Sequence, residues 1–328
     1  MSSLNRRTFV ASSALLALTG VRSVSAQSTP TGSPAAERVI EHVGGTTTLV
    51  GDPQRIVVLA WYLLEQVLAA GIQPVGVADI DGYHSLVKLP LELSDQAVDV
   101  GTRQEPSLES IAETLPDLIL ADDGRHETIY DQLSAIAPTI LVPFDDRSDD
   151  VTPLDDLHNR VHLIGQAINR PQATQQSLEQ MERVLSEQSA RLDAAGLAGI
   201  KFAIASWYTN NTDPTLRMFS NQHIVGDAVA GLGIDNVWPD TGEPVGFSTV
   251  GFEGLVDLPA ETHFIYIPTE DGGFADLLAN DPILTSLPFV VEGRTYGLAH
   301  DTWTNPGTVG VEILVTRVVD ALTGEGNA

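Results

Sequence analysis

The 328-residue chain has no cysteine. Disulfides, thiol catalysis, cysteine-ligated zinc and iron–sulfur clusters are therefore excluded. Basic residues are scarce, with 17 Lys and Arg against 44 Asp and Glu, for a formal charge of −27. Such a surface repels nucleic acid and anionic membrane, so neither is expected as a partner. It also makes any cluster of the few cations informative. No Gly-x-Ser-x-Gly nucleophile elbow occurs. No catalytic residue is assigned, and an exported hydrolase remains as the alternative from another functional class. His84, His126, His223 and His300 are scattered, without the paired spacing of a metal site. A metal ligated by the protein itself is thus not expected.

What is present begins with an export pattern. Arg6-Arg7 stands just ahead of an apolar run from Phe9 to Val21, and Val24-Ser25-Ala26 offers a small-x-small cleavage site before Gln27. The paired arginines point to the twin-arginine route. The apolar run is shorter than the roughly 20 residues a spanning helix needs. Residues 1–26 are therefore read as a cleaved signal peptide, with no cysteine at its end for lipid attachment. The expected location is the periplasm or the outer face of the cytoplasmic membrane. Cleavage would remove Arg6, Arg7 and Arg22 and no acid, leaving 14 basic residues against 44 acidic ones. Residues 27–37 read as a disordered leader rich in Ser, Thr, Pro and Gly. The remaining length exceeds what one core usually holds, so two domains are expected.

Beyond Arg55, short β-branched runs alternate with helical patterns. Ile56–Leu59, Val75–Val77, Leu118–Leu120 and Ile140–Val142 read as strands; Leu63–Ala70, Leu108–Leu115 and Ile129–Ile136 read as helices. Apolar strands separated by helices imply an α/β fold with mostly parallel sheets covered on both faces. Pro171 to Ala194 differs. It opens with Pro at a first helical position and repeats Leu178, Met181, Leu185 and Leu192 at helical spacing. One helix of that length, about 36 Å at 1.5 Å per residue, would make a stiff strut. The alternation then resumes with Phe202–Ala205, Ile224–Leu232, Phe264–Ile267 and Val290-Val291.

The two halves echo each other. Ser107-Leu108-Glu109 leads to the strand Asp117–Leu120, as Gly251-Phe252-Glu253 leads to His263–Tyr266. Leu68–Ile72 likewise resembles Ala230–Ile234. Paired lobes facing across a cleft follow from such a repeat. The expected organisation is a first lobe at 38–170, a linking helix at 171–195 and a second lobe at 196–328.

Gly101-Thr102-Arg103-Gln104-Glu105-Pro106-Ser107-Leu108-Glu109, then Pro116–Ile119, then Arg125-His126 continuing through Tyr130 to Ala137-Pro138-Thr139, resembles the iron-siderophore substrate-binding proteins of ABC importers. The resemblance is strongest to the branch with ferric dicitrate-, carboxylate- and hydroxamate-siderophore-binding members. It runs from about Arg55 to Asp320 and is more specific in the first half. It implies the class III periplasmic binding protein fold: two Rossmann-like lobes joined by one long rigid helix, with limited hinge motion. It also implies a ferric siderophore held between the lobes, iron bound only through that ligand, no intrinsic cofactor, and a membrane permease dimer as partner of a monomer.

Arg103 and Arg125 match positions at which relatives contact the ligand, and both follow strand carboxyl ends, where open α/β sheets bind ligands. A guanidinium fork suits carboxylate or hydroxamate oxygens. Pairing with a nearby acid such as Asp122 or Asp123 is the bland alternative. His126 reads equally as a donor to ligand or as a helix-capping bystander. Trp61, just past the first strand, and Trp207 with Tyr208, past Lys201–Ala205, read as aromatic cover for a siderophore or as core. Arg217 and Trp303 complete the binding candidates. Glu109 and Glu253 match the carboxylates that dock into permease arginines, though acids also favour a first helical turn. His300-Asp301-Thr302-Trp303 falls where some carboxylate-siderophore relatives carry arginines, and this sequence has none there. That departure points to a ligand less anionic than ferric dicitrate, of mixed citrate-hydroxamate type. Haem or a cobalamin is the alternative cargo, with His84, Tyr208 or His300 available as an axial ligand to haem.

Overall fold

The computed structural model describes residues 36–144, 151–210, 213–240, 242, 245–270 and 273–325. The expected signal peptide at 1–26 and the expected leader up to residue 35 lie outside the described residues, and Glu37, assigned above to the leader, already belongs to a strand. That strand, β1 (Glu37–His42), forms an antiparallel hairpin with β2 (Gly45–Val50). The hairpin is tied to the first sheet, where Thr47 Oγ1 donates to the Thr139 carbonyl at 2.9 Å and His42 Nδ1 accepts from the Leu141 N–H at 3.2 Å.

The first sheet is wholly parallel, in the order β5-β4-β3-β6-β7. Its strands are β3 (Ile56–Val58), β4 (Gly76–Val77), β5 (Val98–Asp99), β6 (Leu118–Asp122) and β7 (Thr139–Val142). Between them run α1 (Trp61–Ala69), α2 (Ile80–Leu86), α3 (Leu108–Glu113), α4 (Asp123–His126) and α5 (Tyr130–Ile136). Every residue of β3, β6 and β7 is buried, because helices cover both faces and leave no solvent side for alternating polar residues. The chain order reverses direction between β3 and β6, so a crevice opens at their carboxyl ends.

Two helices then carry the chain away. α6 (Pro153–Ala167) starts at a full capping box, Thr152 with Asp155, and has Pro153 in its first turn. Its Leu157 and Val161 pack in the second core, whereas Ile164 and Ala167 pack in the first. α7 (Pro171–Ala194) has the bounds its sequence pattern predicts, and its Leu178, Met181 and Leu192 are buried against the second core. The expected lone strut is thus a helix lying along one lobe, with α6 beside it reaching into both cores.

The second sheet contains β8 (Lys201–Asn210), β9 (Asp213–Phe219), β10 (Asp235–Asn236), β11 (Phe247–Val250), β12 (His263–Ile267) and β13 (Thr295–Gly297). Its order is β11-β9-β8-β12-β13, with β10 also on β8. β10, β8, β12 and β13 run parallel, but β9 is antiparallel to both its neighbours, β8 and β11. The helices are α8 (Ile224–Ala230), α9 (Gly273–Asn280), α10 (Pro288–Val291) and α11 (Thr308–Thr323). Val290-Val291 reads as a strand from composition and sits in α10 instead, where Pro288 opens a helical turn and the sheet partner is β13. Among the described residues no helix is long and apolar enough to cross a membrane.

A candidate ligand-binding site between the lobes

The carboxyl ends of β3, β5 and β6 in one lobe face the ends of β12 and β13 in the other across a cavity of about 780 Å³. That is the size range of sites for drug-sized ligands. Six of the predicted binding residues line it: Trp61, Arg103 and Arg125 from the first lobe, and Trp207, Arg217 and Trp303 from the second. A smaller cavity of about 80 Å³ shares Asn305 with it and is bordered by Tyr62, Phe144, Arg160, His223 and Phe247.

Arg103 sits in a tight turn after β5, closed by the bridge between Gly101 and Pro106. Gly101 takes φ +96°, a left-handed conformation that a side chain would strain. The guanidinium carbon lies 3.4 Å from the Trp61 ring centroid, and Nε bonds an Asp79 carboxylate oxygen at 3.2 Å. Trp61 is pinned in turn by its own indole N–H, which donates to the Ala78 carbonyl at 3.1 Å. Asp79 is a non-glycine residue at φ +61°, strained where α2 begins. Its N–H donates to the Gly101 carbonyl at 2.7 Å, so one residue holds both the turn and its arginine. Burial lowers the Arg103 pKa, partly offset by the bond to Asp79.

Arg125 bonds Asp122 at 2.6 Å, and the other Asp122 oxygen caps α4 through the Arg125 N–H at 2.8 Å. Both first-lobe arginines are therefore paired with acids, as the bland alternative holds, and both still line the cavity. Arg103 takes Asp79, a long-range partner, rather than Asp122 or Asp123.

His126 does not line the cavity. It is fully buried, accepting from the Asp122 N–H through Nδ1 at 3.1 Å and facing the Arg103 carbonyl through Nε2 at 2.9 Å. This pair fixes the neutral Nε2–H tautomer, and burial accordingly pushes its pKa down. Its place is under the Arg103 turn. Replacing His126 by alanine strands the buried Asp122 N–H and removes the donor to the part-buried Arg103 carbonyl, the first costing about 1–3 kcal/mol and the second less. Urea denaturation should show a loss of about 2–4 kcal/mol in the variant.

The second-lobe aromatics are more embedded than strand ends suggest. β8 does not stop at Ala205 but continues to Asn210 as a hairpin with β9. Trp207 is thereby inside a strand, 5% exposed and stacked on Phe252 at 5.9 Å, with only part of it reaching the cavity. Tyr208 occupies β8, and its side chain lies outside the described residues. Arg217 projects from β9, its guanidinium 4.9 Å from the Phe247 ring. Trp303 is half-buried and packs on Trp61 at 5.6 Å, joining the lobes by an aromatic contact. Asp301 beside it pairs with Arg317 at 2.8 Å.

Lys88, Glu270, His300 and Asn305 also line the cavity and are absent from the predicted binding set. Glu270 follows β12 at its carboxyl end, so position alone could have flagged it. Lys88 lies in irregular chain after α2 with no such signal. Glu109 and Glu253 are exposed, away from the cavity lining. Glu109 stands in the first turn of α3, whereas Glu253 stands in a four-residue 3-10 turn, Phe252–Leu255, rather than an α-helix. Glycines at 251 and 254 deny that segment a side-chain cap and helix propensity. Among the described residues no three His, Asp or Glu side chains converge to hold a metal.

Comparison with known proteins follows the same outline. The Fe(3+)-citrate-binding protein YfmC of Bacillus subtilis is 30% identical over 304 residues, covering 92% of this chain and 91% of its own. The iron(3+)-hydroxamate-binding protein FhuD of Escherichia coli is 28% identical, covering 74% of this chain and 78% of its own. The crystal structure of the siderophore-binding FhuD of Vibrio cholerae with Fe3+-Desferal superposes with a TM-score of 0.72 at 26% identity, over 82% of this chain and 98% of that one. These relatives are solute-binding proteins rather than enzymes. With its sequence pattern matched across residues 56–302, the chain belongs to the periplasmic binding protein family.

Proposed function

We propose that the protein is the extracytoplasmic substrate-binding component of an ABC importer, taking a ferric siderophore into the inter-lobe cleft and handing it to a membrane permease dimer. The observation that carries this reading is the convergence of Lys88, Arg103, Arg125 and Arg217 with three tryptophans on one cavity, in a chain of net charge −27. Scarce cations gathered beside aromatic walls suit a chelate that offers both anionic oxygens and apolar arms.

The same site argues for a ligand of low net charge. Asp79 and Asp122 pair with Arg103 and Arg125, and Glu270 and Asp301 also line the cavity. Asp301 is already paired with Arg317, so the other three acids offset most of the charge of the four cations. A ferric hydroxamate or a mixed citrate-hydroxamate fits that balance better than ferric dicitrate. Relatives of both types, citrate- and hydroxamate-binding, support the class of cargo. The iron arrives wrapped in its chelator, bound through Arg103, Arg125, Arg217, Trp61, Trp207 and Trp303. Tyr208 follows Trp207 in β8, and His126 acts beneath the cleft by holding the Arg103 turn.

The protein works as a monomer exported by its N-terminal signal, with the α6–α7 pair limiting hinge motion between lobes at 38–170 and 196–328. Glu109 and Glu253, one exposed carboxylate per lobe, engage the permease. His300 lines the cavity and is the side chain that would favour haem instead. An absorption spectrum of the protein purified from iron-replete cells separates the two. A broad ferric charge-transfer band is expected, and a Soret band would replace the siderophore by haem.

A further inference from the structure

Helix α11 begins without a cap of its own. Its N-cap is Gly307, which has no side chain to satisfy the first-turn N–H groups. The missing acceptor comes from the other lobe. Glu65 of α1, only 1% exposed, accepts from the Gly307 N–H at 2.7 Å and from the Gly310 N–H at 2.8 Å. A capping box divides these two bonds between two side chains of one helix; here a single carboxylate takes both from across the lobes. The socket is shaped for it. A Cβ on Gly307 would meet the Glu65 carboxyl carbon at 2.8 Å, and one on Gly310 would meet Pro306 at 2.6 Å.

The two segments joined by this carboxylate are the two that build the aromatic wall of the cleft. Trp61 precedes Glu65 by one turn of α1, and Trp303 leads through Pro306 into Gly307. Trp61 and Trp303 touch at 5.6 Å. Thr308 reinforces the junction, donating to Gln66 Oε1 at 3.3 Å and meeting Ser177 Oγ of α7 at 2.6 Å.

We propose that Glu65 is a positioning residue for the ligand cleft: by gripping the first turn of α11 its carboxylate sets Trp303 against Trp61, and protonating it loosens that wall and weakens ligand binding. This rests on the binding function proposed above. A carboxylate accepts both N–H bonds strongly, but a neutral acid carries a proton on one oxygen, which becomes the weaker acceptor, so one of the two N–H bonds weakens. The ionisable groups acting nearby are Glu312 of α11 and the Tyr83 hydroxyl of α2, and Glu312 in turn feels Gln180 and Arg183 of α7. Burial above all, with a small push from Glu312, raises the Glu65 pKa to about 7, against the pull of the backbone bonds. The sign for stability is opposite to that for the grip. A folded value above the ordinary 4.5 stabilises the fold at low pH, and this is lost as pH rises to about 7.

Tryptophan emission of the ligand-free protein, followed from about pH 5.5 to about pH 8.5, should titrate with a midpoint near 7 and lose that step in Glu65→Gln. Affinity for ferric desferrioxamine should fall roughly tenfold from about pH 8 to about pH 6 in the parent and less than about twofold in Glu65→Gln. A flat parent titration, or a step that survives unchanged in Glu65→Gln, overturns the proposal. Should that variant not fold, Trp303→Phe decides, because the step must shrink when the reporting ring is gone and its persistence overturns the proposal equally. The ligand-free step needs no siderophore, so a protein that titrates but binds no ferric chelate contradicts the cargo and leaves the grip standing.

Discussion

Replacing Arg103 by alanine is expected to weaken binding of a ferric hydroxamate roughly 100-fold, about 2.7 kcal/mol. The side chain is held before any ligand arrives, stacked 3.4 Å from the Trp61 centroid and bonded through Nε to Asp79. Little conformational freedom is left to lose on binding, so most of a charge-assisted bond, about 1.5–3 kcal/mol, survives as affinity. With Nε held by Asp79, its terminal nitrogens would be the ones offered to ligand oxygens. Arg103→Lys keeps the charge but loses the fork and the flat face on Trp61, and should recover less than about tenfold. The fold should tolerate both changes, because the Asp79 side chain is 28% exposed and can be resolvated when its partner leaves. Calorimetric titration alongside thermal denaturation measures the two effects separately. Unchanged affinity in Arg103→Ala would remove this residue from the site.

The double substitution Glu109→Ala with Glu253→Ala should abolish uptake of the ferric siderophore by whole cells while leaving affinity within about twofold of the parent. Both carboxylates are exposed, one on each lobe, and neither lines the cavity, so neither the ligand nor the core depends on them. The loss would therefore lie in docking to the permease, where each carboxylate is expected to meet a basic partner. Each single substitution should retain part of the transport. Normal uptake by the double variant, or a fall in affinity with docking preserved, would contradict this role.

Local signals were legible and long-range ones were not. α7 could be bounded to the residue because Pro171 and the spacing of Leu178, Met181 and Leu192 are properties of one segment. The parallel first sheet followed from runs such as Ile56–Val58 and Leu118–Leu120, apolar on both faces. The strands β9 and β11 have no clear local signature, because Asp213 and Pro214 open β9 and its alternation is short. Without β9 the end of β8 was misplaced, and with it the burial of Trp207. His126 could not be resolved from sequence, since an imidazole that binds ligand and one that props a turn read alike. Glu65 gave no signal at all. It reads as an ordinary polar position in a helix, and its partners lie 242 and 245 residues away. The convergence of both arginines on the cleft was readable from their places after strand ends, but their pairing with Asp79 and Asp122 decides the net charge of the site, and the Asp79 bond spans 24 residues.

Of the four tryptophans in the chain, Trp61, Trp207 and Trp303 border the cleft, so a bound ferric chelate should quench much of the intrinsic fluorescence. Titrating the purified protein with ferric hydroxamate, citrate-hydroxamate, dicitrate and catecholate complexes, and with haemin, tests the siderophore reading most directly. The expected result is saturable quenching below about 1 μM, about −8 kcal/mol, by a hydroxamate or citrate-hydroxamate complex, with ferric dicitrate weaker. Quenching by haemin alone, or by none of the ferric complexes in that range, would contradict it.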